Sequence, residues 1–193
     1  MASLTLEPGP VPESAFGPSA YVIQQGLLIR RLRLPGGSSV ELLGRDDVLI
    51  PGREDAASFV RSEWEAVEPA RLAEIDLSPG SPLHGAANAL AGLTTRAVAR
   101  SRAIAAQAAI MSIVGVEERV HALLWLLAER WGEVTPAGVE LRLDLPQAVL
   151  AEMVGARRQT VNRALAGLTE RGLLAPLEPG GWLLLGEPPL SDP

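Results

Sequence analysis

The stretch Leu150-Ala151-Glu152-Met153-Val154-Gly155-Ala156-Arg157-Arg158-Gln159-Thr160-Val161-Asn162-Arg163 decides the fold. Pro146, with Asp144 just ahead, opens a short helix that runs to Val154. Gly155 then stands where a tight turn needs a residue free to take positive φ. Helical spacing resumes from Arg157 to about Arg171, turning Val161, Leu165 and Leu168 inward and Arg158, Gln159, Asn162 and Arg163 outward. Upstream, a helix from Val116 to about Trp131 carries one apolar stripe, Val120, Leu123, Leu124, Leu127 and Ala128, and Val139, Leu141 and Leu143 then alternate as a short strand. Downstream, Leu173 to Leu177 and Trp182 to Leu185 flank Glu178-Pro179-Gly180-Gly181 as a hairpin. Helix, strand, helix, glycine turn, helix, hairpin is the order of a winged helix-turn-helix.

Working outward, Ser81-Pro82 supplies a cap and a first helical position, and alanine dominates from Pro82 to about Ile113. Leu83, Leu90, Ala97, Ile104 and Met111 recur every seventh residue, with Ala87, Thr94, Ser101 and Ala108 four positions after each of the first four. Such a seam of small and apolar residues fits two parallel copies of the helix, a homodimer. One helix lying on its own β-domain is the other reading.

Before that helix, Pro8-Gly9-Pro10, Gly17-Pro18, Gly26, Pro35-Gly36-Gly37, Pro51-Gly52 and Pro69 punctuate the chain at short intervals. Short runs lie between them, Tyr21 to Ile23, Leu27 to Leu34, Val40 to Leu43, Val48 to Ile50 and Arg71 to Asp76, and predict a small antiparallel sandwich or barrel. The expected class is α+β in three parts: a β domain over 1–79, a dimerisation helix and hinge over 80–114, and the winged helix-turn-helix over 115–193.

Composition excludes several chemistries. With no cysteine, the chain can form neither disulfides nor thiolate metal sites, and His84 and His121 are its only imidazoles. No metal, no cofactor and no catalytic residues are expected, and a metal-dependent enzyme built on the β domain is disfavoured because the first 77 residues hold no histidine. Met1 to Pro12 lacks a basic and an apolar region of the signal-peptide kind, which places the chain in the cytoplasm as an expectation. The net charge is −6, an unusual balance for a nucleic-acid binder, yet Ala156 to Gly172 holds Arg157, Arg158, Arg163 and Arg171 against Glu170.

A second helix of this motif fits the major groove of DNA and offers side chains from its first turns to base edges. Arginine can donate two hydrogen bonds to guanine O6 and N7, and glutamine can pair with adenine N6 and N7. Arg157, Arg158, Gln159, Thr160, Asn162 and Arg163 are therefore the candidate DNA-contacting residues, with Thr160 and the first amides of the helix suited to phosphate. A winged helix used only to bind protein is the blander alternative.

At Leu150 to Gly155 and Arg158 to Arg163 the chain resembles the CRP/FNR family of bacterial regulators, the cyclic-AMP receptor protein and its relatives. Val116-Glu117-Glu118-Arg119-Val120-His121-Ala122-Leu123-Leu124 is similar to the family's hinge and first DNA-binding-domain helix, and Tyr21-Val22-Ile23-Gln24-Gln25-Gly26 to the opening of its β-roll. The resemblance implies an N-terminal antiparallel β-roll of the cyclic-nucleotide-binding kind, a homodimer, duplex DNA as partner at an inverted-repeat promoter site, and base reading from the positions of Arg158, Gln159 and Arg163. It also implies contact with RNA polymerase through a surface loop, here Glu133 to Gly138.

The departures point to a truncated, degenerate sensor. Cyclic-AMP-responsive members open a phosphate cassette with Gly-Glu and close it with Arg-Ser; here Ile50-Pro51 and Arg61-Ser62 stand at those places. The family's Thr-Ser pair on the dimer helix, which meets adenine, reads as Ile104-Ala105. Proline cannot donate an amide hydrogen bond and isoleucine cannot accept one from a ribose hydroxyl, so cyclic-nucleotide binding is expected to be lost. Arg61 is then expected to pair with an acid such as Glu63 or Asp55. The resulting expectation is a regulator active without cyclic nucleotide, the alternative being one gated by an unidentified small molecule.

Overall fold

The computed structural model describes residues 3–17, 19–51, 59–76 and 87–189, and of residues 87–90 the backbone alone. Residues 1–101 form one compact unit and 102–193 a second. The first unit holds β1 (Ser3–Leu6), β2 (Gly9–Val11), β3 (Ala20–Gln25), β4 (Leu28–Leu34), β5 (Gly37–Leu43), β6 (Val48–Leu49), β7 (Arg61–Ala66) and β8 (Ala70–Ile75). They pair into two antiparallel sheets, in the orders β1-β8-β3-β6 and β2-β7-β4-β5. Alternation turns Leu6, Val11, Tyr21, Ile23, Leu28, Leu43, Trp64 and Leu72 into one core, closed at one end by Phe16, whose ring leans on Tyr21 and Trp64.

The punctuation of the sequence marked five of these strands. It missed β1 and β2, because proline and glycine around residues 8–12 read as turn chemistry, yet Gly9 and Pro10 sit on an edge strand where proline's missing N–H costs nothing. It also missed β7, whose alternation of charged residues with Ser62, Trp64 and Ala66 is that of a half-buried strand. Gly26 is required by close packing as well as by its φ of +95°: a Cβ there would lie 2.5 Å from the Cα of Ala70.

The helix α1 (Ala87–Met111) runs from the first unit into the second. Its predicted start at Ser81-Pro82 lies outside the described residues, as does Leu83 of the seam. The second unit continues with α2 (Val116–Trp131), β9 (Gly132–Thr135), β10 (Gly138–Leu141), α3 (Gln147–Met153), α4 (Arg158–Glu170), β11 (Leu174–Pro176) and β12 (Trp182–Leu184). The last strands form a four-stranded sheet in the order β11-β12-β10-β9, so the trailing hairpin pairs with the earlier strand as a wing. The expected loop from Glu133 to Gly138 is in fact a tight hairpin, with only Pro136 and Ala137 between β9 and β10. Val134 and Thr135 favour extended backbone, and Thr135 Oγ1 bridges the turn by donating to the Gly138 carbonyl at 3.0 Å.

Val120, Leu123, Leu124, Leu127 and Ala128 of α2 are all buried, and α4 packs on α2 through Val161, Ala164, Leu165 and Leu168. Glu117 and Glu118 in the first turn of α2 complement the helix dipole.

Candidate nucleic-acid interface

The turn between α3 and α4 is built by hydrogen bonds that end one helix and start the next. Val154 N–H donates to the Leu150 carbonyl at 3.0 Å and Ala156 N–H to that of Ala151 at 2.9 Å, with Gly155 between them at φ +61°. That left-handed conformation is the one anticipated for the glycine. A Cβ on Gly155 would also collide with Cε of Met111, which reaches the turn from the end of α1.

Helix α4 begins without a side-chain cap: Arg157 is extended and its carbonyl accepts from Thr160 and Val161 at 2.9 and 3.1 Å. The amides of Arg158 and Gln159 have no carbonyl a turn behind them in the helix and point out of its N-terminus. Arg157, Arg158, Gln159, Thr160, Asn162 and Arg163 are all exposed, while Val161, Ala164, Leu165 and Leu168 between them are buried. Arg157, Arg158 and Arg163 form no ion pair among the described residues. Three guanidinium groups and two carboxamides, those of Gln159 and Asn162, are thus open to solvent at the start of α4.

Arg171, counted in the sequence among the basic cluster, is not part of this face. It closes α4 and binds Glu117 at 2.7 Å, fastening the far end of α4 to the first turn of α2. In the wing Arg142 is likewise tied, to Glu140 at 2.6 Å and to the Glu178 carbonyl.

His121 is buried on α2, where its Nε2 accepts the indole N–H of Trp125 at 3.0 Å. Burial, with the Arg171 charge nearby, holds its imidazole below the ordinary range, against a weaker upward pull from Glu117. Trp64 is core, and Trp131 lies under the Arg130 guanidinium at 4.6 Å.

Sequence reasoning passed over the polar group that ties α1 to the first unit. Arg100 donates from Nε and from a terminal nitrogen to the two carboxylate oxygens of Glu41 on β5, and from the other terminal nitrogen to the Val48 carbonyl at 2.8 Å. Glu41 also binds Arg30 of β4 at 2.8 Å, and Arg30 lies over the Trp64 ring. Burial pushes the Glu41 carboxyl up, but the hydrogen bond from Arg100 and the charges of Arg30 and Arg100 outweigh it and hold the group below its usual range. Arg96 adds a more exposed pair with Asp46 at 3.4 Å.

The rest of α1 is bare for its length: of residues 91–111 only Ile110 is buried. Thr94, Ala97, Ser101, Ile104, Ala108 and Met111 of the expected seam are exposed, Ile104 at 47%. The seam residues Ala87 and Leu90 fall in the helix where only backbone is described. Val98, which the seven-residue spacing does not include, joins the same face one turn from Thr94 and is also 47% exposed. At the expected anion cassette, Arg61 is exposed and its predicted partner Glu63 is bound instead to Arg33 at 3.0 Å; Asp55 lies outside the described residues.

A β-roll of two antiparallel sheets, a long helix and a winged helix-turn-helix follow one another along the chain, and that order defines its fold class. Residues 118–187 match the Crp-like helix-turn-helix domain. The CRP-like cAMP-activated global transcriptional regulator of Mycobacterium tuberculosis is 42% identical over 57 residues, 30% of this chain; the match spans a quarter of that relative's length, 25%. Solved structures similar in fold include a CooA mutant from Carboxydothermus hydrogenoformans, with a TM-score of 0.71 at 16% identity over 95% of this chain and 83% of that one. Another is the c-di-GMP responsive global regulator CLP of Xanthomonas campestris, with a TM-score of 0.68 at 19% identity over 96% of this chain and 94% of the other. A CRP/FNR family transcriptional regulator of Thermus thermophilus gives 0.61 at 22% identity over 96% and 94%. Residues 118–187 thus carry a Crp-like helix-turn-helix domain, and the chain shares its fold with solved regulators of the CRP/FNR family.

Proposed function

We propose that the chain acts as a homodimer that binds an inverted repeat in duplex DNA and does so without a cyclic nucleotide. The observation that carries the reading is the exposed set Arg157, Arg158, Gln159, Asn162 and Arg163 at the start of α4, whose arginines form no ion pair among the described residues. Arg158, Gln159 and Arg163 read bases, while Thr160 and the first amides of α4 hold phosphate. A dimer formed on the bare face of α1 sets two such helices about 34 Å apart, one turn of the duplex, which makes the site palindromic.

Independence from a cyclic nucleotide is supported by Arg100. In the resemblance, the ligand joins the roll to the dimer helix; here Arg100 makes that join itself, through Glu41 and the Val48 carbonyl. The hairpin β9–β10, with Val134 84% exposed near its tip, is the surface assigned to RNA polymerase. No catalytic role is assigned, and the cytoplasm is the setting in which such a protein would work; among the described residues no helix is long and apolar enough to cross a membrane.

A second reading, gating by a small anion, is favoured by Ser62, whose Oγ is buried without a hydrogen-bond partner, next in sequence to Arg61, which is exposed and forms no ion pair among the described residues. Selection of DNA from random pools by effector-free protein decides between the two. Enrichment of a palindrome without additions supports the first; enrichment only after small anions are supplied supports the second; no enrichment under either condition removes both.

A further inference from the structure

The firmest link between α2 and the far end of α4 is built beside a titratable ring. His121 and Trp125 lie one turn apart on α2, with the indole N–H donating to His121 Nε2 at 3.0 Å and the rings edge to face at 6.5 Å. An accepting Nε2 requires the neutral ring with its proton on Nδ1. One turn earlier on the same helix, Glu117 accepts the ion pair of Arg171 at 2.7 Å, and Arg171 is the residue that closes α4. The part-buried hydrogen bond and the ion pair therefore share one corner of the second unit.

We propose that His121 and Trp125 form a proton-sensitive joint that sets how firmly the C-terminal end of α4 is held on α2. A protonated Nε2 carries a hydrogen and cannot accept from the indole, so the Trp125 bond breaks and two donors face each other in a buried place. The new positive charge repels the Arg171 guanidinium and competes with it for Glu117. Both effects weaken the fastening of α4.

The surrounding charges leave this balance to those two residues. On α4, Arg158, Arg163 and Glu170 are exposed; Glu133 of β9 is exposed; Glu140 of β10 is bound to Arg142; and on α2 itself Glu118 faces solvent one turn from the ring. Burial first and Arg171 second favour the neutral imidazole, with Glu117 opposing. A ring whose folded value lies below its unfolded one leaves stability intact above about pH 6.5, the ordinary value, and removes it progressively as the pH falls from there until the folded ring is itself protonated. The joint is thus closed at neutral pH and opens in acid. That its opening would weaken DNA binding rests on the reading of α4 given above; the joint itself does not.

The test is NMR on the full-length protein between pH 8 and 5, following the four tryptophan indole N–H resonances, assigned with W125F, and amide exchange in the last turn of α4. The expected result is an upfield movement of the Trp125 indole resonance on acidification, in step with the His121 ring titration, together with a loss of amide protection, exchange taken relative to its intrinsic rate at each pH, at the end of α4. His121→Gln keeps an acceptor that does not titrate and should abolish both changes. An indole resonance that holds still through the His121 titration overturns the proposal, as does protection that still falls in H121Q. If H121Q does not fold, the wild-type indole titration decides alone. None of these readouts uses DNA, so failure of the joint and failure of the DNA-binding reading are seen separately.

Discussion

Arg100→Met removes the guanidinium that joins α1 to the roll and leaves an apolar stem of similar reach. Three hydrogen bonds go with it: two to the Glu41 carboxylate and one to the Val48 carbonyl. Breaking a fully buried ion pair by deleting one partner costs about 3–5 kcal/mol. Here the Arg100 side chain is 21% exposed and Glu41 keeps Arg30 at 2.8 Å, so the cost should fall to about 2–3 kcal/mol, the range of one or two hydrogen bonds to a charged group. The assay is urea unfolding followed by fluorine NMR of 5-fluorotryptophan at Trp64, the single tryptophan of residues 1–101. Glu41→Gln and the double variant complete a cycle, which should show the two losses to be strongly non-additive. The carboxylate also supplies a pH signature. Because its folded value lies below the ordinary 4.5, its contribution is present above that pH and disappears as the pH falls through the folded value, so R100M should flatten the acid limb of the stability curve. A loss below about 0.5 kcal/mol, the level of an exposed pair, would refute the reasoning by showing that Arg100 is merely solvated.

Arg158→Ala and Arg163→Ala should each weaken binding to the selected DNA by about 1–3 kcal/mol and relax preference at one base position, by competition binding against base-substituted sites. Their thermal midpoints should not move, since neither side chain makes an ion pair within the described protein. Gly155→Ala forces a side chain into a left-handed conformation and against Met111, and should destabilise the second unit by about 1–2 kcal/mol in chemical denaturation. Shortening the neighbour, as in G155A/M111A, should restore the part that comes from collision and leave the backbone part. Val98→Glu combined with Ile104→Glu places like charges on the bare face of α1, and sedimentation should show the proposed dimer of the wild type replaced by a monomer, with the folded units intact.

The second unit was legible almost residue by residue because its signals are local. Pro146, Gly155 and the spacing of Val161, Leu165 and Leu168 each act within one or two turns of chain, and the observed helices start and stop within one residue of those readings. The Arg100 anchor was not legible in the same way, since it joins positions 59 residues apart. Half of it was nonetheless within reach. Counting outward from Pro35-Gly36, the hairpin pairs Leu34 with Gly37 and so places Arg30 opposite Glu41, two opposite charges on one face of paired strands. The loss of Arg171 to Glu117 could not be seen from the count of arginines, because helix ends meet only once α4 has packed on α2. The Glu133 to Gly138 loop was expected from the resemblance alone; in the structure Thr135 and Gly138 bound a two-residue turn, Pro136-Ala137, between short paired strands.

Charge bears directly on selectivity. A chain with net charge −6 is repelled by DNA at long range, and sequence-independent binding draws on the total of cations that can reach phosphate. At physiological salt, charges farther than about 8 Å are largely screened, so a duplex seated on α4 responds to Arg157, Arg158 and Arg163 and hardly to the acidic remainder. The wing adds no spare cation through Arg142, which is held by Glu140, and the end of α4 adds none through Arg171, which is held by Glu117. On the proposed reading, attraction is therefore concentrated at the start of α4, where Arg158 and Arg163 also read bases. On the proposed reading, a wrong sequence would forfeit the arginine contacts while the net charge of the chain stays acidic, which would widen the gap between specific and non-specific affinity. The acidic composition that argued against a nucleic-acid partner would then be a source of discrimination.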